Sequence, residues 1–447
     1  MSTKIGVMVF PAGEVNSVEL HDALSTCVNI RLYGVSSVDR HGEFVFQNYI
    51  SGIPSIQEPG FLDELNCIIR HNQIDVVIPT HDDVTLFFAQ HRRDIQAKVL
   101  AAEYHTALIC RDKKKTYEVF SDCDFCPKVY SITSLTEKNY TAAPFCSQNG
   151  MAPFPLFIKP RKGQGSIHAK QVFSMKDLQD DRSLDEYIIC EYLPGMELTV
   201  DCFTSYEGKL QAVLPRSRQR IFGGISVRGQ TEVLTAEIQK IAETINSRLH
   251  FLGLWYFQIR QDRNGQFKLL EISARCAGTM CLSRAKGVNL PLLSVYAAMG
   301  RNTEILENEY SLMVDRTLIS RYKTSLQYNR VYIDLDDTLL IDGKVNLQSI
   351  RFLYQCINSK KQVILLTHHK SDHNDTAVDA LRSCRIDPGL FDKIIELPFD
   401  VPKHTAIHPD GAIFIDNAYT ERKEVHQCFG IPVFDVDGIE VLLDWRT

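Results

Sequence analysis

Three short apolar runs toward the end of the chain each stop on a residue with chemistry: Arg330-Val-Tyr-Ile-Asp334, Val363-Ile-Leu-Leu-Thr367 and Ala412-Ile-Phe-Ile-Asp416. Unbroken apolar runs of this length, alternating with helical stretches, are the strands of a parallel sheet covered on both faces. Such sheets gather ligands at the C-terminal ends of their strands, which is where these three polar residues fall. The N-terminal stretch alternates in the same way. Ile5-Gly-Val-Met-Val-Phe10 stops at Pro11, Ser17 to Thr26 has helical spacing, and Arg31-Leu-Tyr-Gly-Val35 is a strand. Phe61 to His71 then reads as a helix and Ile74-Asp-Val-Val-Ile-Pro-Thr80 as a buried strand with a Pro stop. The pattern predicts a doubly wound α/β domain over residues 1–108 and a further alternation of strands and helices over 328–447. No GxGxxG follows the first strand, so no dinucleotide site is read there.

At 447 residues the chain has room for about three domains, and residues 109–327 differ from the flanks in having hairpin-like, more charged strands. Hydrophobic residues at 44% and charged residues at 23% exclude disordered and fibrous classes. Lys and Arg number 49 against 55 Asp and Glu, and the net charge of -6 gives no general attraction to nucleic acid or an anionic membrane. The N-terminal apolar run falls far short of the ~20 residues that span a bilayer and carries no cleavage-site pattern. The 13 cysteines, an odd number scattered from Cys27 to Cys428, read as reduced thiols, so the expected location is cytoplasmic. Cys123-x-x-Cys126 has no further zinc ligands close in sequence and is assigned no function.

In the central region, Phe154-Pro-Leu-Phe-Ile-Lys159-Pro-Arg-Lys-Gly163-Gln-Gly165-Ser166 puts a lysine at a strand end with a glycine-rich, hydroxyl-containing turn directly after it. Glycine lets backbone N–H groups approach phosphate oxygens and an ammonium adds charge, so the segment reads as a phosphate cradle, although a Lys-Pro-rich surface loop would look similar. Ile188 to Asp201 follows as strand, Pro-Gly turn and strand, with Glu197, Thr199 and Asp201 on one face. Backbone groups after Glu191 suit an adenine edge, and Glu197 suits ribose hydroxyls. Tyr256 to Arg275 is a hairpin with Asn264-Gly265 at its turn, which sets Gln258 and Glu271 on adjacent strands with Arg275 beyond. These oxygen ligands suit Mg²⁺ shared with substrate phosphates, and Arg275 suits a transferring phosphoryl group or an acyl phosphate. A surface ion pair of Glu271 with Arg275 explains each residue singly but not their order. Ala285 to Gly300 reads as a loop and a Pro-started apolar helix that packs the core.

That order of motifs closely resembles the ATP-grasp superfamily over about residues 1–315, nearest to its carbamoyl-phosphate synthase-like and amino-acid ligase branches. The resemblance implies a Rossmann-like pre-ATP-grasp domain at 1–108 and a two-lobed α+β ATP-grasp domain at 109–327. ATP would lie between the lobes, and an acyl phosphate would be captured by an amine or another nucleophile. It also implies phosphate contacts from Lys113 and Lys159 beside the cradle Gly163, Gly165 and Ser166. The adenine hinge would be Glu191 and Leu193, and Glu197 would hold ribose. Mg²⁺ would sit on Gln258 and Glu271, with Arg275 stabilising phosphoryl transfer. The family's Glu-x-Asn-x-Arg reads Glu271-Ile-Ser273-Ala-Arg275 here, so Ser273 offers a hydroxyl at the second metal position. Arg216, Arg218 and Arg220, followed by Gly223 and Gly224, sit where such ligases place a mobile, substrate-facing segment. A solvated basic turn is the alternative for any one of these arginines.

In the C-terminal region Asp334 and Asp336 lie two residues apart at a strand end. Same-face carboxylates repel, so a divalent cation is expected between them, with one carboxylate attacking phosphorus and the other protonating the leaving group. Asp334-x-Asp336-x-Thr338, then Thr367, Lys403 and Asp416 in sequence order, resembles the haloacid dehalogenase-like phosphatases over about residues 329–447. The resemblance implies a doubly wound α/β domain with Asp334 as the nucleophile that forms an aspartyl phosphate and Asp336 as general acid/base. Thr367 and Lys403 would bind the phosphoryl group, and Asp334, Asp336 and Asp416 would form the Mg²⁺ cluster. About 30 residues separate Asp336 from Thr367, which leaves room for only a minimal cap. Asn417 stands where a second acid often follows, and Lys393 competes with Lys403 for the lysine role. A decayed domain kept for packing is the alternative. His368, His369 and His373 read as neutral substrate contacts or loop polarity, since the carboxylates already supply Mg²⁺ ligands.

Together these readings describe a bifunctional cytoplasmic enzyme that uses ATP and Mg²⁺. Its ligase joins a small-molecule carboxylate to an amine, and its phosphatase acts on a phosphorylated metabolite of the same pathway. Neither nucleic acid nor membrane is an expected partner, and the sequence is compatible with a homodimer. Two alternatives stay open: a kinase or carboxylase that forms no amide, and an ATP-binding regulatory module that gates the phosphatase, which Ser273 motivates.

Overall fold

Every residue of β1 (Ile5–Phe10) is buried, as a strand covered on both faces must be. Its alternate side chains divide between two cores: Val7 and Val9 pack with Leu20, Leu24 and Val295, and Met8 and Phe10 with Phe61, Leu65 and Phe88. The computed structural model that gives this arrangement describes residues 4–131, 135, 154–163, 165, 167–178, 184–369 and 375–446. The chain divides into two units, Met1–Leu318 and Ile319–Thr447.

In the first unit β1 is the middle of a five-stranded parallel sheet. With β2 (Ile30–Ser36), β3 (Asn48–Ser51), β4 (Val76–Pro79) and β5 (Lys98–Val99), the order is β3–β2–β1–β4–β5. The strand expected from Ile74 starts later because the helix Phe61–Asn72 ends at Gln73 in the left-handed region (φ 50°), and the Ile74 N–H is taken by the Ile69 carbonyl. The chain runs from β1 to β2 on one side and reaches β4 on the other. The crevice above β1 and β4 is therefore a topological switch point. The two loops bordering it are tied together, because Thr80 donates its hydroxyl to the Pro11 carbonyl and Asn16 donates to the Thr80 carbonyl.

The helix Val15–Leu24 carries one misfit, the buried Glu19. Burial pushes its carboxyl up to about 7, against the pull of the Arg284 guanidinium 3.1 Å away. The folded chain therefore binds a proton that the unfolded chain, with an ordinary value of 4.5, has released. The resulting stability is fully present below the unfolded value and is lost as pH rises through 7, falling by about 1.4 kcal/mol for each pH unit between the two values. Glu19→Gln is expected to flatten the fall of the thermal midpoint between pH 5 and 7.5, as read by scanning calorimetry; an unchanged slope would contradict this.

The rest of the first unit is antiparallel. Strands β6 (Val129–Tyr130), β7 (Leu156–Pro160), β8 (Lys170–Val172) and β9 (Tyr187–Glu191) pair in the order β6–β9–β7–β8. Then come β10 (Glu197–Thr204), β11 (Leu210–Ser217), β12 (Arg220–Phe222), β13 (Ile225–Gln230), β14 (Gly253–Gln261), β15 (Phe267–Ser273) and β16 (Met313–Asp315). They form a sheet β11–β10–β14–β15 and a smaller one, β12–β13–β16. On one face of the larger sheet Leu198, Val200, Trp255, Phe257 and Ile259 pack against Ile238, Ile241 and Ile245 of the helix Ala236–Arg248. Period-two alternation then turns Glu197, Thr199 and Asp201 to the opposite face.

The second unit repeats the parallel plan. Strands β17 (Arg330–Ile333), β20 (Gln362–Thr367), β21 (Lys393–Glu396), β22 (Ala412–Ile415) and β23 (Val433–Phe434) lie in the order β21–β20–β17–β22–β23. Val331, Ile333, Val363 and Leu365 face one core, Tyr332, Ile364 and Leu366 the other. Between Asp336 and Thr367 the chain makes the small hairpin β18 (Leu340–Ile341) and β19 (Lys344–Val345), then the helix Leu347–Asn358. Among the described residues no helix is long and apolar enough to cross a membrane, and every cysteine is a free thiol.

Candidate active sites

Strand register assembles the first site. Thr199 on β10 lies opposite Arg216 on one side and Gln258 on the other, and Gln258 lies opposite Glu271, giving one polar row across four strands. The next row holds Glu197 opposite Arg260, with Arg218 2.7 Å from Glu197. These side chains line a cavity of about 380 Å³. A bulge after Gln258 leaves Leu270 out of the ladder. The Leu270 carbonyl accepts hydrogen bonds from the Tyr117 hydroxyl and from Lys159 Nζ, both at 3.0 Å. Lys159 also donates to the Tyr117 hydroxyl at 2.7 Å, and burial lowers its pKa. Lys113 donates to the Gly163 carbonyl at 2.8 Å and stands 3.5 Å from Glu271. Phe157, Cys190, Tyr192 and Leu193 add apolar lining, and the Glu191 carboxylate accepts from the Lys128 N–H at 2.8 Å.

Gly163, Gly165, Gly223 and Gly224 all border the cavity; Ser166 lies outside the described residues. Gly224 adopts φ +77°, and a Cβ there would sit 2.1 Å from the Gly165 carbonyl oxygen, so the two glycine turns touch. Gly224→Ala is expected to force them apart, with a backbone cost of about 1–3 kcal/mol. The readout is the thermal midpoint by scanning calorimetry, where a drop of a few degrees is expected; an unchanged midpoint would show that the contact between the two turns is not needed for stability.

Of the three arginines expected on a substrate-facing segment, Arg216 and Arg218 line the cavity and Arg220 does not. Arg216 is buried, with Nε 2.7 Å and Nη2 3.0 Å from the Asp201 carboxylate, and it also donates to Thr279. Arg220 points away to Asp315 at 2.8 Å, is about half exposed, and does not line the cavity. Arg275 does line it, but its partner is Asp82 rather than Glu271. Its Nε and Nη2 donate to the Asp82 carboxylate at 2.7 and 3.0 Å, and the Ser273 hydroxyl donates to the same group at 2.9 Å. Ser273 is thus engaged by Asp82 and is not part of the cavity lining. Burial works against ionisation of Asp82, but Arg275 and Ser273 outweigh it and hold its carboxyl well below the usual range. Sequence reasoning missed Asp82, the first residue of the helix Asp82–Gln90, as it missed the contribution of Thr80 and His81 just before it to the cavity wall.

In the second unit β17 stops at Ile333, and Asp337 takes a left-handed turn (φ 56°) just beyond it. β17 therefore ends before either of the two carboxylates expected to share a cation. Asp334 stays in line with the sheet through its N–H to the Ile415 carbonyl, and its carboxylate meets Lys403 Nζ at 2.8 Å. The same ammonium is 2.6 Å from Asp416, so Lys403 bridges the ends of β17 and β22. Asp336 instead contacts His369, with Nδ1 at 2.9 and 3.2 Å from its two oxygens. Burial raises both the Asp334 and Asp416 carboxyls, Asp416 to about 6, while Lys403 opposes the shift. Thr367 is buried at the end of β20. Lys393 begins β21 exposed to solvent, so Lys403 is the lysine at the site. His368 contacts the Val401 carbonyl at 2.9 Å, and His373 lies outside the described residues.

Among the described residues Thr199 Oγ1, buried in the first cavity's wall beside Gln258 and Glu271, has no hydrogen-bond partner, as the site of a polar ligand would require. In the second site, among the described residues, no three metal-type side chains cluster. Two converging carboxylates, Asp334 and Asp416, fit the Mg²⁺ habit of one or two carboxylates completed by water and phosphate oxygens.

Residues 183–317 match a family described as ATP-grasp in the biosynthetic pathway with Ter operon. Solved structures then give the wider likeness. The biotin carboxylase domain of 2-oxoglutarate carboxylase from Hydrogenobacter thermophilus, in complex with MgADP, ADP and bicarbonate, has a TM-score of 0.55 at 11% identity, covering 70% of this chain and 74% of that one. N5-carboxyaminoimidazole synthetase from Staphylococcus aureus, complexed with ADP, has a TM-score of 0.54 at 14% identity over 69% and 79%. L-amino acid ligase from Bacillus licheniformis has a TM-score of 0.50 at 14% identity over 67% and 75%. At these identities the shared property is the fold. No curated protein matches the chain.

Proposed function

We propose that the first unit is an ATP-dependent ligase that activates a small-molecule carboxylate as an acyl phosphate and passes it to an amine. The observation that carries this reading is the cross-strand Gln258–Glu271 pair, set in one cavity with Lys113, Lys159 and the touching glycine turns. Within this reading residues 1–108 form the pre-ATP-grasp domain and 109–327 the ATP-grasp domain. Gln258 and Glu271 would hold Mg²⁺, which would shield phosphate charge. Lys113 and Lys159 supply positive charge to the phosphates, and Leu193 with Phe157 covers the base. Arg275, fixed by Asp82, faces charge that develops on the transferring phosphoryl group. A substrate carboxylate oxygen attacks the γ-phosphorus and ADP leaves; the amine then attacks the acyl carbon and inorganic phosphate departs. The likeness to an amino-acid ligase and to carboxylases supports this carboxylate-activating chemistry, with bicarbonate as the smallest carboxylate of the class.

In the second unit, residues 328–447, the proposed activity is that of a haloacid dehalogenase-like phosphatase, supported by Lys403 bridging Asp334 and Asp416 above a parallel sheet. Asp334 attacks phosphorus and forms an aspartyl phosphate while Asp336 protonates the leaving oxygen. Asp336 then takes a proton from the water that releases phosphate. Mg²⁺ on Asp334 and Asp416 would neutralise charge on the phosphoryl oxygens.

ADP release by the Asp334→Asn protein, measured over pools of carboxylates and amines, tests the first activity. Release that needs one acid and one amine is expected, and Glu271→Ala is expected to lower it at least a hundredfold. A second reading, an ATP-binding regulatory module, is favoured by the engagement of Ser273 with Asp82 instead of the cavity. Tight ATP binding without ADP release from any pool, together with an altered phosphatase rate, would establish it in place of the ligase.

A further inference from the structure

We propose that Tyr117 is the residue that positions the Lys159 ammonium for the nucleotide phosphates in the first cavity, an inference that rests on the ATP-binding reading of that unit. Three polar groups close a triangle in the cavity wall. Lys159 Nζ donates to the Tyr117 hydroxyl at 2.7 Å and to the Leu270 carbonyl at 3.0 Å, and the Tyr117 hydroxyl donates to the same carbonyl at 3.0 Å. Burial pushes the Tyr117 hydroxyl well above its usual range, so it keeps its proton, gives it to Leu270 and meets the ammonium as an acceptor. Among the described residues the ammonium has no other hydrogen bond. One of its three N–H groups is therefore left for a ligand of the cavity whose wall all three residues form.

Two local features build the triangle. The bulge in β15 takes Leu270 out of the ladder with β14, and bulges of this kind re-aim groups beside active sites. Tyr117 stands four residues after Lys113 on the helix Lys113–Val119, so one face of that helix carries both the residue that reaches Gly163 and the residue that reaches Lys159. The helix is tied in turn to the chain leaving β7, because Arg161 donates to the carboxylate of Asp112 at 2.6 and 3.2 Å. Lysine carries its charge on a flexible stem, and the Glu271 and Glu197 carboxylates also attract this ammonium. Without the Tyr117 hydroxyl it keeps one anchor and is free to turn toward either carboxylate, away from the phosphates.

The experiment uses the full-length protein with Mg²⁺ and measures the affinities of ADP and adenosine by titration calorimetry. Tyr117→Phe, which removes only the hydroxyl, is expected to weaken ADP about tenfold and adenosine less than about twofold, because adenosine carries no phosphate. In the Lys159→Met background Tyr117→Phe is expected to add less than about twofold to the loss of ADP affinity, since it acts through that ammonium. A hydroxyl that only supports the cavity wall would weaken both ligands alike, and in either background. Unchanged ADP affinity, equal losses of ADP and adenosine, or an equal further loss in the double variant would each overturn the proposal. An unmutated protein that binds no ADP would instead overturn the reading beneath it.

Discussion

Asp334→Asn is expected to lower hydrolysis of phosphate monoesters by about 10³-fold or more while leaving ADP release by the first unit intact. The amide keeps the shape of the side chain but supplies no nucleophilic oxygen anion. Folding should survive, because the Lys403 ammonium keeps Asp416 at 2.6 Å and no buried charge is left alone. A thermal midpoint within a few degrees of the parent and a missing phosphoenzyme are the matching readouts. Retained hydrolysis with an intact phosphoenzyme signal would remove Asp334 from the nucleophile role. Lys403→Ala is a harsher change, since it would leave the buried Asp334 and Asp416 carboxylates facing one another without a cation.

The largest effect on stability is expected at Asp82. Asp82→Ala removes the only carboxylate found within salt-bridge distance of Arg275 among the described residues and leaves that guanidinium with 11% of its side chain exposed. Removing one partner of such a buried pair costs about 3–5 kcal/mol, because the desolvation of the remaining charge is no longer offset. Urea unfolding of the first unit should move by a corresponding margin. The double variant Asp82→Ala/Arg275→Met should regain part of the loss, because no buried charge is left unpaired. A single variant as stable as the parent would mean that Arg275 finds water or another acceptor, and Asp82 would lose its status as the anchor of that arginine.

What could be read from the sequence follows from the range of the interactions involved. Gln258 and Glu271 were legible as a pair because a short turn at Asn264-Gly265 fixes the register of the two strands that carry them. Glu197, Thr199 and Asp201 were legible as one face because side chains alternate along a strand. The ends of β17, β20 and β22 were legible because parallel strands read as continuous apolar runs. Asp82 was not, since it is 193 residues from Arg275 and nothing local marks it as that residue's partner. Arg216 and Arg220 sit four residues apart and look alike in sequence, yet one is buried against Asp201 and the other lies outside against Asp315. The difference is set by neighbouring strands, which a linear pattern does not specify. Asp334 and Asp336 alternate onto one face only on a continuing strand, and β17 ends at Ile333, before either of them.

Both parallel sheets place their earliest strand in the middle: β1 pairs with β2 and also with β4, as Val7 does with Val76, and β17 pairs with β20 and also with β22, as Arg330 does with Ala412. During synthesis each central strand therefore emerges before either of its neighbours and stays without its final hydrogen-bonding partners until distant segments arrive. Such non-local closure slows folding and leaves an apolar strand open to self-association. Refolding at dilute concentration, or expression at a slower rate, should accordingly raise the yield of native protein more than a change of buffer.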